Sequence, residues 1–135
     1  MSTRVFVADD HPLWRDALIA DLEKHGYAVV GSAADGPSAV RRVTATVPDV
    51  LLLDLNLPGL HGADVCAQVA GLATRVLMLS ASGEEKDVLA AMKAGACGYL
   101  VKSATPDEIR AAVDATGRGE ATCTPGLAGL VLGEF

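Results

Sequence analysis

Five short runs rich in Val and Leu divide the chain: Arg4 to Ala8, Ala28 to Gly31, Val50 to Leu53, Val76 to Leu79 and Gly98 to Val101. Each has strand length, and each is too uniformly apolar to keep one face in water. The stretches between them carry helical periodicity. Trp14, Ala17, Leu18 and Leu22 form one stripe, Ala39, Val40 and Val43 a second, and Val88, Leu89 and Met92 a third. The last helix is the best marked, because Thr105, Pro106, Asp107 and Glu108 make a capping box with proline at the first helical position, ahead of Ile109, Ala112, Val113 and Thr116. Gly26, Gly95 and Gly117 stand where three of the helices are expected to stop. Strands and helices that alternate five times, with strands apolar on both faces, predict an α/β fold: a parallel sheet covered by helices on both sides.

Composition narrows what such a fold can do. A chain of 135 residues is one domain, large enough to bury its core without metals or disulfides. No uncharged run approaches the ~18 residues that cross a bilayer, and the start, MSTRVFVADD, lacks the apolar centre of a signal peptide, so the expected location is the cytoplasm. Cys66, Cys97 and Cys123 are odd in number and have no metal-ligand spacing, which reads as reduced thiols packed as small apolar groups. Seventeen acidic against eleven basic residues give a formal charge of −6, and this argues against the chain holding a nucleic-acid backbone by itself.

In an open parallel sheet, ligands bind beyond the carboxyl ends of the strands. The polar residues of this chain gather there. The first run ends in Asp9 and Asp10, the third in Asp54, the fourth in Ser80 and the fifth in Lys102. A lone Asp after a strand is more often a turn or helix cap than a working group. Three carboxylates, a hydroxyl and an ammonium converging on one rim are different, because the carboxylates repel unless a cation intervenes. A hard divalent ion with oxygen ligands, magnesium above all, answers that need. Asp54, ionised and aimed into a pocket with a metal and a lysine, suits phosphoryl transfer with the carboxylate as nucleophile. His11 and His61 read as surface-loop residues, and His25 as a helix-end residue favoured by the negative pole.

The "DD" after the first strand, "DLNLPGLHG" after the third, the serine after the fourth and "GYLVK" after the fifth resemble a bacterial response-regulator receiver domain. "ADDHPLWRDAL" and "KAGACGYLVKSATPDEI" further resemble the NarL/FixJ subfamily. The resemblance implies a flavodoxin-like, doubly wound (βα)5 fold with a five-stranded parallel sheet in the order 2-1-3-4-5. It implies Asp54 as phosphoacceptor, Asp9 and Asp10 as magnesium-binding acids with Asp54 and the backbone carbonyl of Asn56, Ser80 as the hydroxyl that turns to the phosphoryl group, Tyr99 as the aromatic switch, and Lys102 as the phosphate-pairing lysine. The implied donor is a sensor histidine kinase, and the only reactions catalysed are the domain's own phosphorylation and dephosphorylation. The movement that follows is expected to pass through the segment from Ser82 to Glu85 and through Tyr99. Residues 1–119 would be the receiver and residues 120–135 the start of a linker, with Thr124 and Pro125 opening a helix toward a LuxR-type helix-turn-helix that these residues do not include. DNA binding would belong to that absent domain.

Other readings fit less well. A phosphatase of the haloacid dehalogenase type needs a second acid two residues after its nucleophile, and here that position is Asn56. A nucleotide module or flavodoxin-like electron carrier wants a glycine-rich or hydroxyl-rich turn where this chain has Asp9 and Asp10. An interaction-only receiver with an unused pocket is the alternative within signalling. For assembly, Ile19 lies about 100° from Leu18 on the first helix, toward its solvated edge. Ala111, Ala115 and Gly117 lie off the core face of the last helix. The resemblance puts these helices side by side and implies a homodimer through them, near Ile19 and Ala111.

Overall fold

The computed structural model describes residues 2–81, 85–120 and 122–123. Its elements in chain order are β1 (Arg4–Ala8), α1 (Pro12–Lys24), β2 (Ala28–Ala33), α2 (Gly36–Thr46), β3 (Val50–Asp54), α3 (Gly62–Val69), β4 (Arg75–Ser80), α4 (Glu85–Lys93), β5 (Gly98–Val101), α5 (Pro106–Gly117) and β6 (Thr122–Cys123). The sheet order is β2-β1-β3-β4-β5-β6 with every neighbouring pair parallel. The first five strands thus follow the expected order. The sixth was not foreseen: Thr122 and Cys123, in the segment read as a linker, pair with Gly98 and Tyr99 and cover part of the edge that β5 would leave open. The helix expected from Thr124 onward lies outside the described residues.

Alternation along the strands divides the core into two layers. Phe6, Ala8, Leu51, Leu53, Met78 and Tyr99 face one side, where α2, α3 and α4 supply Ala39, Val43, Val65, Val69, Val88 and Ala91. Val5, Val7, Leu52, Leu77, Leu79 and Leu100 face the other, under Leu18 and Leu22 of α1 and Ile109, Ala112 and Val113 of α5. Burial on both faces is the reason these strands read as unbroken apolar runs.

The helix ends follow local chemistry. The Thr105–Glu108 capping box is present in both directions. Gly26 and Gly95 end their helices at φ +90° and +109°, but α5 runs through Gly117 and the left-handed turn falls at Gly119, φ +84°. Ile19 also departs from expectation. It is half-buried against the α1/α5 layer, because α1 leans over edge strand β2 and Tyr27 and Val29 join the same layer.

A polar clasp ties α1, the start of β2 and α5 together. The Tyr27 hydroxyl donates to Asp114 Oδ1 at 2.7 Å, and Arg110 Nη1 lies 2.6 Å from Asp21 Oδ2. Burial and then the bonded Asp114 carboxylate push the Tyr27 hydroxyl up to about 12. Between its ordinary value near 10 and that figure the unfolded chain has lost the proton and the folded chain keeps it, so stability from this group is complete below about pH 10 and is lost as pH rises toward 12. Thermal melts of wild type and Tyr27→Phe are therefore expected to differ most near pH 9, with the gap closing as pH rises above 10.

Candidate functional site

The carboxyl ends of β1, β3 and β5 set the site. Beyond β1, the Asp9 N–H continues the ladder to the Ala33 carbonyl at 3.0 Å, and the chain turns at His11, the N-cap of α1, into Pro12. Asp54 ends β3 opposite Leu79. Lys102 follows β5, its N–H donating to the Ser80 carbonyl at 2.7 Å, so Ser80 and Lys102 are anchored by one bond.

These placements bring Asp9, Asp10, Asp54 and Lys102 together. Lys102 Nζ lies 2.5 Å from Asp9 Oδ2 and 3.5 Å from Asp54 Oδ2. Asp9 and Asp54 are 1% and 3% exposed, while the Asp10 side chain is 37% exposed. The Asn56 N–H donates to Asp54 Oδ1 at 3.2 Å, which puts the backbone of that residue beside the Asp54 carboxylate. Ser80 is fully buried at the end of β4. Tyr99 is not part of the charged cluster, being buried in the layer under α2, α3 and α4. Residues 82–84, through which movement was expected to pass, lie outside the described residues.

The electrostatics are unbalanced. Burial pushes the Asp54 carboxyl up, the Asn56 N–H and the Lys102 ammonium pull it down, and Asp9 and Asp10 add to the rise, leaving it above its ordinary value. One ammonium therefore does not compensate three carboxylates. Buried Asp54 Oδ2 has no hydrogen-bond donor, and Asp9 Oδ2 has only the Lys102 ammonium that it shares with Asp54. Donor atoms of Asp9, Asp10, His11 and Asp54 all lie within 4.8 Å of one another, so the residues present fit a divalent cation.

Three neighbours escaped the sequence reading. His11, read as a surface residue, has Nδ1 3.0 Å from Asp9 Oδ1 and 3.2 Å from Asp10 Oδ1. Arg15 Nη1 donates to the Asp9 carbonyl at 2.8 Å, and the Trp14 ring centre lies 4.7 Å from Lys102 Nζ. A signal was available: positions three and four beyond an N-cap share its helix face, and that face meets the end of β1. His61 is the N-cap of α3, and His25 the C-cap of α1 with Nδ1 2.8 Å from the Asp21 carbonyl, as its helix-end reading requires.

Residues 5–114 match the response regulator receiver domain family. The chain belongs to that family. NarL of Mycobacterium tuberculosis strain H37Rv is 43% identical to this receiver over 98% of the chain and 62% of the relative. NarL of Escherichia coli K12, the nitrate/nitrite response regulator, is 32% identical over 91% of the chain and 58% of that protein. The chain thus spans about three fifths of the length of these relatives. The solved receiver domain of the Mycobacterium tuberculosis NarL superposes with a TM-score of 0.85 at 43% identity, covering 88% of this chain and 98% of the other. A LuxR-family two-component response regulator from Aurantimonas sp. SI85-9A1 does so with a TM-score of 0.90 at 35% identity, covering 99% and 98%. This is a two-component signalling domain of the NarL type. Among its described residues no helix is long and apolar enough to cross a membrane.

The loop after Asp54 packs directly on Gly62. The Gly62 N–H donates to the Leu55 carbonyl at 2.7 Å, and a Cβ there would stand 2.6 Å from Leu55 Cα and 2.7 Å from the Asp54 carbonyl oxygen. Backbone on that side cannot move without moving Asp54. Gly62→Ala is expected to lower stability by about 1–3 kcal/mol in chemical denaturation.

Proposed function

We propose that this receiver is a phosphorylation-dependent switch in which Asp54 accepts a phosphoryl group from the phosphohistidine of a sensor histidine kinase. The observation that carries the reading is the 3% exposed Asp54 carboxylate at a strand end, with Lys102 Nζ 3.5 Å from one oxygen and the Asn56 N–H on the other. An Asp54 oxygen forms the new O–P bond as the P–N bond breaks, and the donor imidazole leaves with the bonding pair. Asp9 and Asp10, with Asp54 and the Asn56 carbonyl, would hold magnesium, which when bound supplies charge to offset the phosphoryl oxygens. Lys102 pairs with the new phosphoryl group and Ser80 donates its hydroxyl to it. Tyr99 changes rotamer in response.

Charge-assisted contacts of this kind set how far the switch can move, since reversing a 1:99 population needs about 5.5 kcal/mol of differential binding. Dephosphorylation by water is the only other reaction of the domain. Docking of the kinase is supported by Leu13, 88% exposed beside an apolar recess lined by Pro12, Trp14 and Ala81 next to Lys102. Residues 1–119 act as the switch in the cytoplasm. Residues 120–135 lead toward a helix-turn-helix domain through which the full regulator binds DNA and controls transcription.

Treatment with a small acyl-phosphate or phosphoramidate donor and magnesium is expected to add one hydroxylamine-labile phosphoryl group, read by intact-mass spectrometry. EDTA and Asp54→Ala should each abolish it. Full labelling of Asp54→Ala would overturn the assignment, and absence of labelling in wild type would favour an interaction-only receiver.

The switch output includes a homodimer through α1 and α5, near Ile19 and Ala111, that tightens on phosphorylation. Ala111 is exposed, whereas Ile19 is half-buried, so Ala111→Glu is the cleaner probe. Sedimentation velocity is expected to show donor-dependent dimerisation in wild type and its loss in Ala111→Glu and Ile19→Glu. Unchanged dimer affinity in Ala111→Glu would put the contact elsewhere.

A further inference from the structure

The acidic pocket contains one donor that its proposed magnesium chemistry does not use. His11 Nδ1 faces Asp9 Oδ1 at 3.0 Å and Asp10 Oδ1 at 3.2 Å, and Lys102 Nζ stands 3.5 Å away. An octahedral ion with bonds of about 2.1 Å separates neighbouring ligand atoms by about 3.0 Å and opposite ones by about 4.2 Å. The His11–Asp9 and His11–Asp10 separations are those of neighbouring ligands on one ion. The full set, with Asp54, spans no more than 4.8 Å.

Two further observations point to a cation rather than a self-contained hydrogen-bond cluster. Asp54, 3% exposed, presents an Oδ2 with no hydrogen-bond donor, while the buried Asp9 carboxylate has already taken Lys102 at 2.5 Å. Lys102, the ammonium nearest to them, sits at 3.5 Å from Asp54 Oδ2, beyond the ~2.7–2.9 Å of a charge-assisted bond. The His11 side chain is 67% exposed, so the open side of the cluster has room for water to complete a coordination shell.

We propose that His11 is a nitrogen ligand of the cation site, placed beside Asp9 and Asp10 so that the pocket favours late first-row transition ions more strongly than its oxygen ligands would alone. The inference rests on the cation-site reading of the pocket given above. Imidazole nitrogen suits nickel, cobalt and zinc, whereas magnesium prefers oxygen and keeps much of its water. With the ring proton on Nε2, Nδ1 turns a lone pair toward the carboxylates and the ion lies among them. The competing role for His11 is to brace the turn, since its own N–H also donates to Asp9 Oδ1 at 2.8 Å. A brace would weaken or spare all ions alike. A ligand would discriminate between them.

Trp14 is the chain's single tryptophan, and its ring faces Lys102 in this pocket, so its fluorescence reports binding locally. Wild type, His11→Asn and His11→Ala would be titrated with Mg2+ and with Ni2+, and bound Ni2+ then displaced by Mg2+. Asn is a good N-cap and substitutes a hard oxygen for the imidazole nitrogen, so the turn is preserved while the donor changes. The expected result is a loss of about tenfold or more in Ni2+ affinity in both variants, with Mg2+ affinity within about threefold of wild type. An unchanged Ni2+-to-Mg2+ affinity ratio would overturn the role of His11 and leave the cation site standing. Failure of wild type to bind either ion would overturn the site and the inference together.

Discussion

Two carboxylates held out of water at adjacent strand ends, with one ammonium between them, set the terms for this protein. Asp9 and Asp54 are both almost fully buried, and Lys102 reaches one closely and the other at a distance. Buried charge without full compensation is costly, so the surrounding backbone must hold it by geometry. Asp9 continues a strand ladder, Asp54 takes the Asn56 N–H, and Lys102 is anchored through the Ser80 carbonyl. Each of these bonds comes from the sheet or its first turns, which is why the site is only as precise as the register of β1, β3, β4 and β5.

The unbalanced charge is also what the proposed function would use. A pocket with an exact internal salt bridge would have no reason to bind a cation or a phosphoryl group. Here the residual negative charge would attract the first, and Lys102 lies within reach of the Asp54 oxygen that would carry the second. Burial raises the Asp54 carboxyl first and the Asp9 and Asp10 carboxylates add to the rise; a bound cation would offset that added charge, so cation and Asp54 would be coupled by electrostatics.

The apolar scaffold carries this arrangement on two unequal supports. The layer under α2, α3 and α4 holds Tyr99 and the packing of the loop after Asp54 against Gly62. The layer under α1 and α5 is smaller and is fastened at its rim by the Tyr27–Asp114 and Arg110–Asp21 contacts. The first turn of α1 belongs to both the scaffold and the site: Leu18 and Leu22 bury its far end, while His11, Trp14 and Arg15 reach the end of β1 and the lysine beyond β5.

Strand content and the location of the charged residues were legible because they depend on local pattern. Short runs such as VLLLD, bounded by turn signals, read as doubly buried strands, and a parallel sheet obliges their last polar residues to share one rim, so the sequence groups Asp9, Asp54, Ser80 and Lys102. The capping box at Thr105 was legible for the same reason, its partners being three residues apart. What tertiary structure alone decided depends on contacts far apart in sequence. The sixth strand exists because β5 offers an edge, and Ile19 is half-buried because α1 leans over β2. His11 joined the carboxylates because a helix N-terminus was set against the end of β1, and Lys102, just ahead of α5, came to lie over Trp14 as α1 packed beside α5. Periodicity assigns a residue to a face; only packing decides what that face meets, because the partner lies at a distance along the chain that no local pattern encodes.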